Sequence, residues 1–236
     1  MTPHELAREM EHIYGEELKA VVLYGSAVGQ DYSKRFSDFN IFCVLTDVTP
    51  ALLAKSNRLV RRWVKDGNPV PYFFYPEYIE RSLDVFPMEF LDMKDSHEVL
   101  VGRDPLEGIR VDARNLRHQC ESELKGKLVH LRNFYAANCH KPKRLAEVMV
   151  EAFPTFLTAM RGMLRLLGER PPEDARAVVE LTGNRVDVNP TPFYDVIEIR
   201  RGESLLPRGD DAAAAFERYL TEVEALTRFV DELQVT

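Results

Sequence analysis

The sequence predicts an α+β fold in two parts: a mixed β-sheet with flanking helices over residues 1–110, then an all-α bundle over residues 111–236. Two patterns predict it. From Lys19 to about Gly102, short β-branched and aromatic runs alternate with helical patterns. From about Ala113 onward, apolar residues recur at spacings of three and four, and strand-like runs give way to helices. With 236 residues, 45% of them hydrophobic and 10% aromatic, the chain has enough apolar side chain to fill such cores.

The elements follow in order. The N-terminal stretch MTPHELAREMEHIYGEEL is charged and amphipathic, unlike a signal segment, and no apolar run approaches the roughly 20 residues of a membrane span. Strands are predicted at KAVVLYG, DFNIFCVL, VPYFFY and PMEFLDM. A single helix is predicted from Thr49 or Pro50 to Asp66, with Leu52, Leu59 and Trp63 on one face and Gly67 ending it. The boundary between the two parts is expected near Gly108 to Asp112. Beyond it, Leu116, Cys120, Leu124, Leu128, Leu131 and Tyr135 mark one face of a helix from Ala113 to Asn138. Further helices are interrupted near Pro171-Pro172 and Asn189-Pro190, and the last runs from about Asp211 to Leu233. Pro154 is expected to kink its helix. Gly126 costs its helix about 1 kcal/mol relative to alanine, which suggests close packing or room for a ligand.

The net charge of −7 argues against a nucleic-acid-coating protein and favours a small-molecule or protein partner. One stretch departs from the balance: Arg114, Arg117, Lys125, Lys127, Arg132, Lys141, Lys143 and Arg144 face only Glu121 and Glu123 within it, while the last thirty-odd residues are acidic. Such a run reads first as a solvated face. Its sharper readings are a positive wall for nucleotide phosphates or an RNA-binding surface. Cys43, Cys120 and Cys139 form no CxxC pair and read as reduced core thiols, consistent with a cytoplasmic protein. The histidines lack paired metal-ligand spacing, so zinc is not expected. A homodimer stays open.

The chemistry concentrates in Leu23 to Leu45. Gly25 and Ser26 end an apolar strand in a turn that suits close approach to an anion, with no GxGxxG and no Gly-Lys-Thr/Ser continuation. After eleven intervening residues Asp38 opens the next strand. By strand alternation Asp38, Asn40 and Phe42 share one face and Phe39, Ile41 and Cys43 the other. Glu89 sits in the apolar run PMEFLDM, where a charge needs a partner. Three oxygen-bearing side chains, Asp38, Asn40 and Glu89, beside such a turn would suit a Mg²⁺-bound nucleoside triphosphate. Glu89 has a second reading, an ion pair with Arg81 or a base of the helical part.

The string Tyr24-Gly25-Ser26, the eleven-residue gap and Ser37-Asp38-Phe39 resemble the DNA polymerase β-like nucleotidyltransferase superfamily, whose pattern is hG[GS], a loop of this length, DhDh, and a later third acid. Within it the chain is similar to bacterial small nucleotidyltransferases with a helical C-terminal domain, such as the aminoglycoside nucleotidyltransferases. The motifs cover about residues 1 to 105, the helical half only by architecture. The resemblance implies transfer of a nucleoside monophosphate from an NTP, ATP being the expected donor, to a small-molecule or protein hydroxyl, with one or two Mg²⁺ ions. Gly25, Ser26 and Lys34 would hold phosphates. Asp38, Asn40 and Glu89 would hold metal, Asp38 and Glu89 being the catalytic acids, and the acceptor would lie against the helical half. Asn40 departs from the pattern, which has aspartate there: it keeps an oxygen ligand and removes a charge. Asp31 or Asp92 could stand in, although Asp92 has the opposite strand parity to Glu89. The alternative is a nucleotide-binding or interaction protein that kept the fold and lost the chemistry.

Overall fold

The computed structural model of the chain describes residues 1–28 and 39–235. It divides into two compact units, residues 1–111 and 112–236. The fold class is α+β: a four-stranded mixed sheet with flanking helices, followed by helices alone.

The first unit opens with α1 (Pro3–Tyr14), whose N-terminus is closed by reciprocal bonds between Thr2 and Glu5. Strands β1 (Leu18–Tyr24), β2 (Asn40–Leu45), β3 (Tyr72–Phe74) and β4 (His97–Gly102) make one sheet in the order β3-β2-β1-β4. Only β2 and β3 run parallel. One sheet face carries Val21, Leu23, Ile41, Cys43 and Leu45 against α1 and α3 (Asn57–Lys65). The other carries Ala20, Val22, Phe42 and Val44 against α4 (Pro76–Ser82) and α5 (Pro87–Asp95). Both faces are covered, which is why β1 and β2 read as nearly unbroken apolar runs. Opposite β1, β4 holds one extra residue, Leu100, between the partners of Val21 and Val22. That bulge turns Leu100 and Val101 to the same core while Val99 faces the other.

Three sequence expectations are corrected here. The segment PMEFLDM is helix α5, not a strand. Pro87 presets its first turn, it contains no β-branched residue, and the buried Pro87, Phe90 and Met93 recur every third residue. The strand lies just after it, in HEVLVG. The expected single helix from Pro50 to Asp66 is two, α2 (Pro50–Lys55) and α3, broken at Ser56. Buried Ser56 accepts a 2.8 Å hydrogen bond from the Tyr14 hydroxyl and donates to the Leu53 carbonyl at 3.3 Å, anchoring the break. Of the three cysteines, Cys43 and Cys120 are buried but Cys139 is exposed at a helix end. Burial pushes the Cys43 thiol up to about 12, so it packs as a small apolar group.

Trp63 anchors the α3 side. It is fully buried, its ring centroid lies 6.1 Å from that of Phe39, and its Nε1–H donates to the Pro69 carbonyl at 2.9 Å. Trp63→Phe removes that bond and leaves a void where the buried indole was larger than the phenyl ring. A loss of about 1–3 kcal/mol of unfolding free energy is expected in urea denaturation.

The second unit contains α6 (Ala113–Asn138), α7 (Pro142–Leu166), α8 (Ala175–Arg185), α9 (Thr191–Arg201) and α10 (Asp210–Glu232). Leu116, Cys120, Leu124, Leu128 and Leu131 of α6 are buried as their spacing predicts, and Tyr135, at the surface, stacks on Phe216 at 5.2 Å. Pro154 lies inside an α7 that continues through it. A side chain at Gly126 would meet nothing within 4 Å, so close helix packing is not the reason for this glycine. Tyr219 of α10 is buried between the rings of Phe156 and Phe193, at 5.8 and 5.2 Å.

Six of the eight bases of the basic stretch are paired with acid. Arg117 and Lys125 share Glu121, Lys125 also reaches Asp231, Arg132 reaches Glu224, Arg114 reaches Asp112, and Lys143 and Arg144 flank Glu147. Two of those partners, Glu224 and Asp231, come from the acidic α10. Each exposed pair contributes little to stability, yet together they offset the positive field that a phosphate backbone would use.

Asp112 caps α6, accepting from the Arg114 N–H at 2.8 Å and from its guanidinium at 2.6 and 3.1 Å. These bonds hold its carboxyl down at about 2. A depressed folded-state value contributes stability that is present above the unfolded carboxyl's value, about 4, and lost as pH falls toward 2. Amide exchange in the first turn of α6 is therefore expected to accelerate between about pH 4 and 2. Asp112→Asn should abolish that step.

Candidate functional site

The first unit's sheet ends in a turn that only glycine takes at low cost. Gly25 has φ +80° and starts a single tight turn, Gly25–Ala27, closed by the Val28 N–H donating to the Gly25 carbonyl at 3.0 Å. Ser96, at the junction of α5 and β4, holds this turn from the side. Its carbonyl accepts from the Gly25 N–H at 2.9 Å and its hydroxyl donates to the Gly25 carbonyl at 3.3 Å. The Gly25 N–H is thus engaged within the protein. In so short a turn the amides of Ser26 and Ala27 are the ones without an intrahelical partner.

Beside the turn, strand register sets three side chains in a row. Tyr24 pairs with Asn40 on β2 and with His97 on β4. Paired residues share a sheet face, so all three lie on the face of Phe42, which α4 and α5 cover. Asn40 is half-buried, and a Cβ built on Gly25 would stand 3.5 Å from its Nδ2. Alternation puts Phe39 on the opposite face, where its ring meets Trp63. The parity inferred from the sequence for Phe39, Asn40 and Phe42 is the one found. Burial, aided by nearby Tyr72, raises the Tyr24 hydroxyl well above an ordinary tyrosine. Tyr24 is therefore a neutral phenol at any physiological pH.

Lys34, Asp38 and Asp31 lie outside the described residues, as does the Ser26 side chain. Glu89 is placed in the first turn of α5 and is exposed, so its expected position on a strand beside β2 is overturned. The strands that do lie beside β2 are β1 and β3, and neither LKAVVLY nor Tyr72-Phe73-Phe74 carries a carboxylate. Helix α5 nonetheless packs on the same sheet face as Asn40, through Phe90 and Met93. The change from strand to helix also reverses the parity argument against Asp92, because residues three apart on a helix are neighbours. Glu89 and Asp92 thus share one side of α5.

No ligand spacing marks His97 in the sequence. Its ring nitrogens lie 3.0 Å from the Lys94 carbonyl and 3.2 Å from an Asp104 carboxylate oxygen, and Asp104 also accepts from the Leu106 N–H at 2.8 Å. Both nitrogens are engaged, so His97 ties the loop after β4 to the end of α5 and has no free nitrogen for a substrate. Among the described residues no three His, Cys, Asp or Glu side chains gather as a metal would require. Asn40 alone offers one neutral oxygen, a poor fit to a hard dication without added carboxylates.

No protein-family model and no curated protein matches the sequence. Among solved structures the chain is similar to the spectinomycin adenyltransferase AAD(9) from Enterococcus faecialis, determined with ATP and spectinomycin. The TM-score is 0.51 at 12% identity, and the match covers 94% of this chain and 99% of that one. No helix among the described residues is long and apolar enough to cross a membrane. At 12% identity the likeness is one of fold alone: the chain shares the fold of that adenyltransferase.

Proposed function

We propose that this protein binds a nucleoside triphosphate, ATP being the expected donor, at the Gly25 end of the sheet and transfers its nucleoside monophosphate to a hydroxyl of a small molecule or protein. The supporting observation is the left-handed Gly25 turn set against Asn40 on adjacent strands, in a fold shared with an adenyltransferase whose structure holds ATP. In this reading Gly25 supplies the turn, the amides of Ser26 and Ala27 and the Lys34 ammonium meet phosphate oxygens, and Asp38 with Asn40 faces the Mg²⁺ carried by the triphosphate. Mg²⁺ would offset phosphate charge there. The acceptor oxygen attacks the α-phosphorus, the bond to the β-phosphate oxygen breaks, pyrophosphate leaves, and the acceptor proton passes to Glu89. Asp92, on the same side of α5, supplies the carboxylate that Asn40 lacks.

Asn40 favours a second reading, nucleotide binding without turnover, because it removes one charge from the pattern's metal site. Calorimetric titration with ATP, with and without Mg²⁺, followed by a labelled-nucleotide transfer screen, separates the two. Mg²⁺-dependent binding with transfer supports the first reading, and binding without transfer selects the second. An absence of ATP binding at millimolar concentration with Mg²⁺ would remove both.

A further inference from the structure

Three aromatic rings form a column on the edge of the sheet beside Asn40. Tyr72 and Phe74 of β3 have centroids 5.9 Å apart with planes 27° from parallel, and Phe74 and Tyr78 of α4 are 5.7 Å apart at 9°. Phe74 is fixed from below by Phe42 at 5.6 Å and Phe90 at 6.0 Å, so the column stands on the core. Its outermost ring, Tyr72, is 55% exposed. More than half of Tyr72 is open to solvent, so a planar ligand has room to continue the stack.

The column points toward the candidate site. Because β3 runs parallel to β2 and Tyr72 pairs with Phe42, each step from Phe74 to Tyr72 moves toward the Asn40 end of the sheet. Tyr72, paired with Phe42, and Tyr24, paired with Asn40, lie on the same face of the sheet, one on each side of β2. By strand spacing and rise, Tyr72 lies about 14 Å from the Gly25 turn, two strands across and three residues along. That is the span of an extended nucleoside triphosphate. A β-strand is a poor occupant of this edge: β3 has three residues, and Pro69, Pro71 and Pro76 around it lack the N–H that strand addition needs.

We infer that Tyr72 is the platform on which the nucleobase of the bound triphosphate stacks, continuing the Tyr72–Phe74–Tyr78 column while the phosphates reach the Gly25 turn. The inference rests on the nucleotide reading above and adds the base-binding residue to it. Stacking of this kind is tolerant of base identity, so modest selectivity among NTPs follows.

Binding of Mg²⁺-ATP and of Mg²⁺-tripolyphosphate, measured by calorimetry on the full chain, tests it with Tyr72→Ala and Tyr72→Trp. Tyr72→Ala is expected to weaken ATP binding by roughly tenfold or more and to leave tripolyphosphate binding unchanged. Tyr72→Trp should retain ATP binding. Unchanged ATP affinity in Tyr72→Ala, or an equal loss for both ligands, overturns the inference while leaving the nucleotide reading intact. The same holds if Tyr72→Ala abolishes self-association in sedimentation without changing ATP affinity, which would mean a second copy covers the column. A wild-type chain that binds neither ligand removes the nucleotide reading and the platform with it.

Discussion

An Asn40→Asp variant is expected to bind Mg²⁺-ATP about ten- to a hundredfold more tightly than the wild type, with little change in binding measured without metal. The residue stands beside the Gly25 turn, in register with Tyr24, so a carboxylate there would face whatever the turn holds. Two unit charges about 4 Å apart interact by about 4 kcal/mol at an effective dielectric of 20, and a dication doubles this. Asn40 is only half-buried, and solvent and salt reduce the gain; one to two decades is what remains. The variant should also be slightly less stable than wild type without metal, since a second carboxylate then follows Asp38 two residues on, uncompensated. Titrations with and without Mg²⁺ on both proteins check this. Equal Mg²⁺-dependent affinities would mean that position 40 does not face metal. If transfer activity also appears only in Asn40→Asp, the wild type is a binding protein with a retained nucleotide site.

Gly102→Ala is expected to destabilise the first unit by about 4 kcal/mol or more, enough to unfold it in many conditions. Gly102 closes β4 with φ +86°, and a Cβ there would lie 1.9 Å from the Lys19 carbonyl oxygen, 2.8 Å from its carbon and 3.0 Å from the Ala20 Cα. All three are backbone atoms of the central strand β1. No side chain can rotate away, so β1 and β4 must separate at the pair formed by Ala20 and Gly102. Gly108 provides the contrast: it too has a positive φ, +75°, but a Cβ there meets nothing within 4 Å. Gly108→Ala should cost only the conformational strain, about 1–2 kcal/mol. Trp63 is the single tryptophan of the chain and lies in this unit, so its fluorescence in urea reports this unit's unfolding. Similar losses for the two substitutions would show that the strand pair yields easily, contrary to the contact distances.

Much of the architecture is legible in the chain before any coordinates. The apolar face of α6 can be read from Leu116 to Leu131 because a long helix repeats its signal many times. Strands β1 and β2 are legible because Val, Ile and Phe crowd into runs closed by glycine or polar residues. The segment from Pro87 to Met93 misleads because seven apolar-rich residues are compatible with either period. Its proline at the first helical position and its lack of β-branching are the cues that decide it. At the candidate site, the Gly25 turn and the parity of Asn40 are legible, since both depend on neighbours in sequence. Ser96, His97 and Tyr72 are not, because each is placed by hydrogen bonds or strand pairing with residues 30 to 73 positions away.

The sequence alone determined the α+β class, the glycine turn, the face on which Asn40 lies and the replacement of an aspartate by an amide in the pattern it resembles. These are local properties, set by side-chain period and backbone preference over a few residues. Only the tertiary structure decided that Glu89 and Asp92 share a helix, that Tyr72, Phe74 and Tyr78 stack at the sheet edge, and that the basic α6 meets the acidic α10. The order β3-β2-β1-β4 and the pairing registers bring those groups together. Such juxtapositions arise from burying two sheet faces and a helical core at once, a balance of contacts between distant segments that no short window of sequence contains.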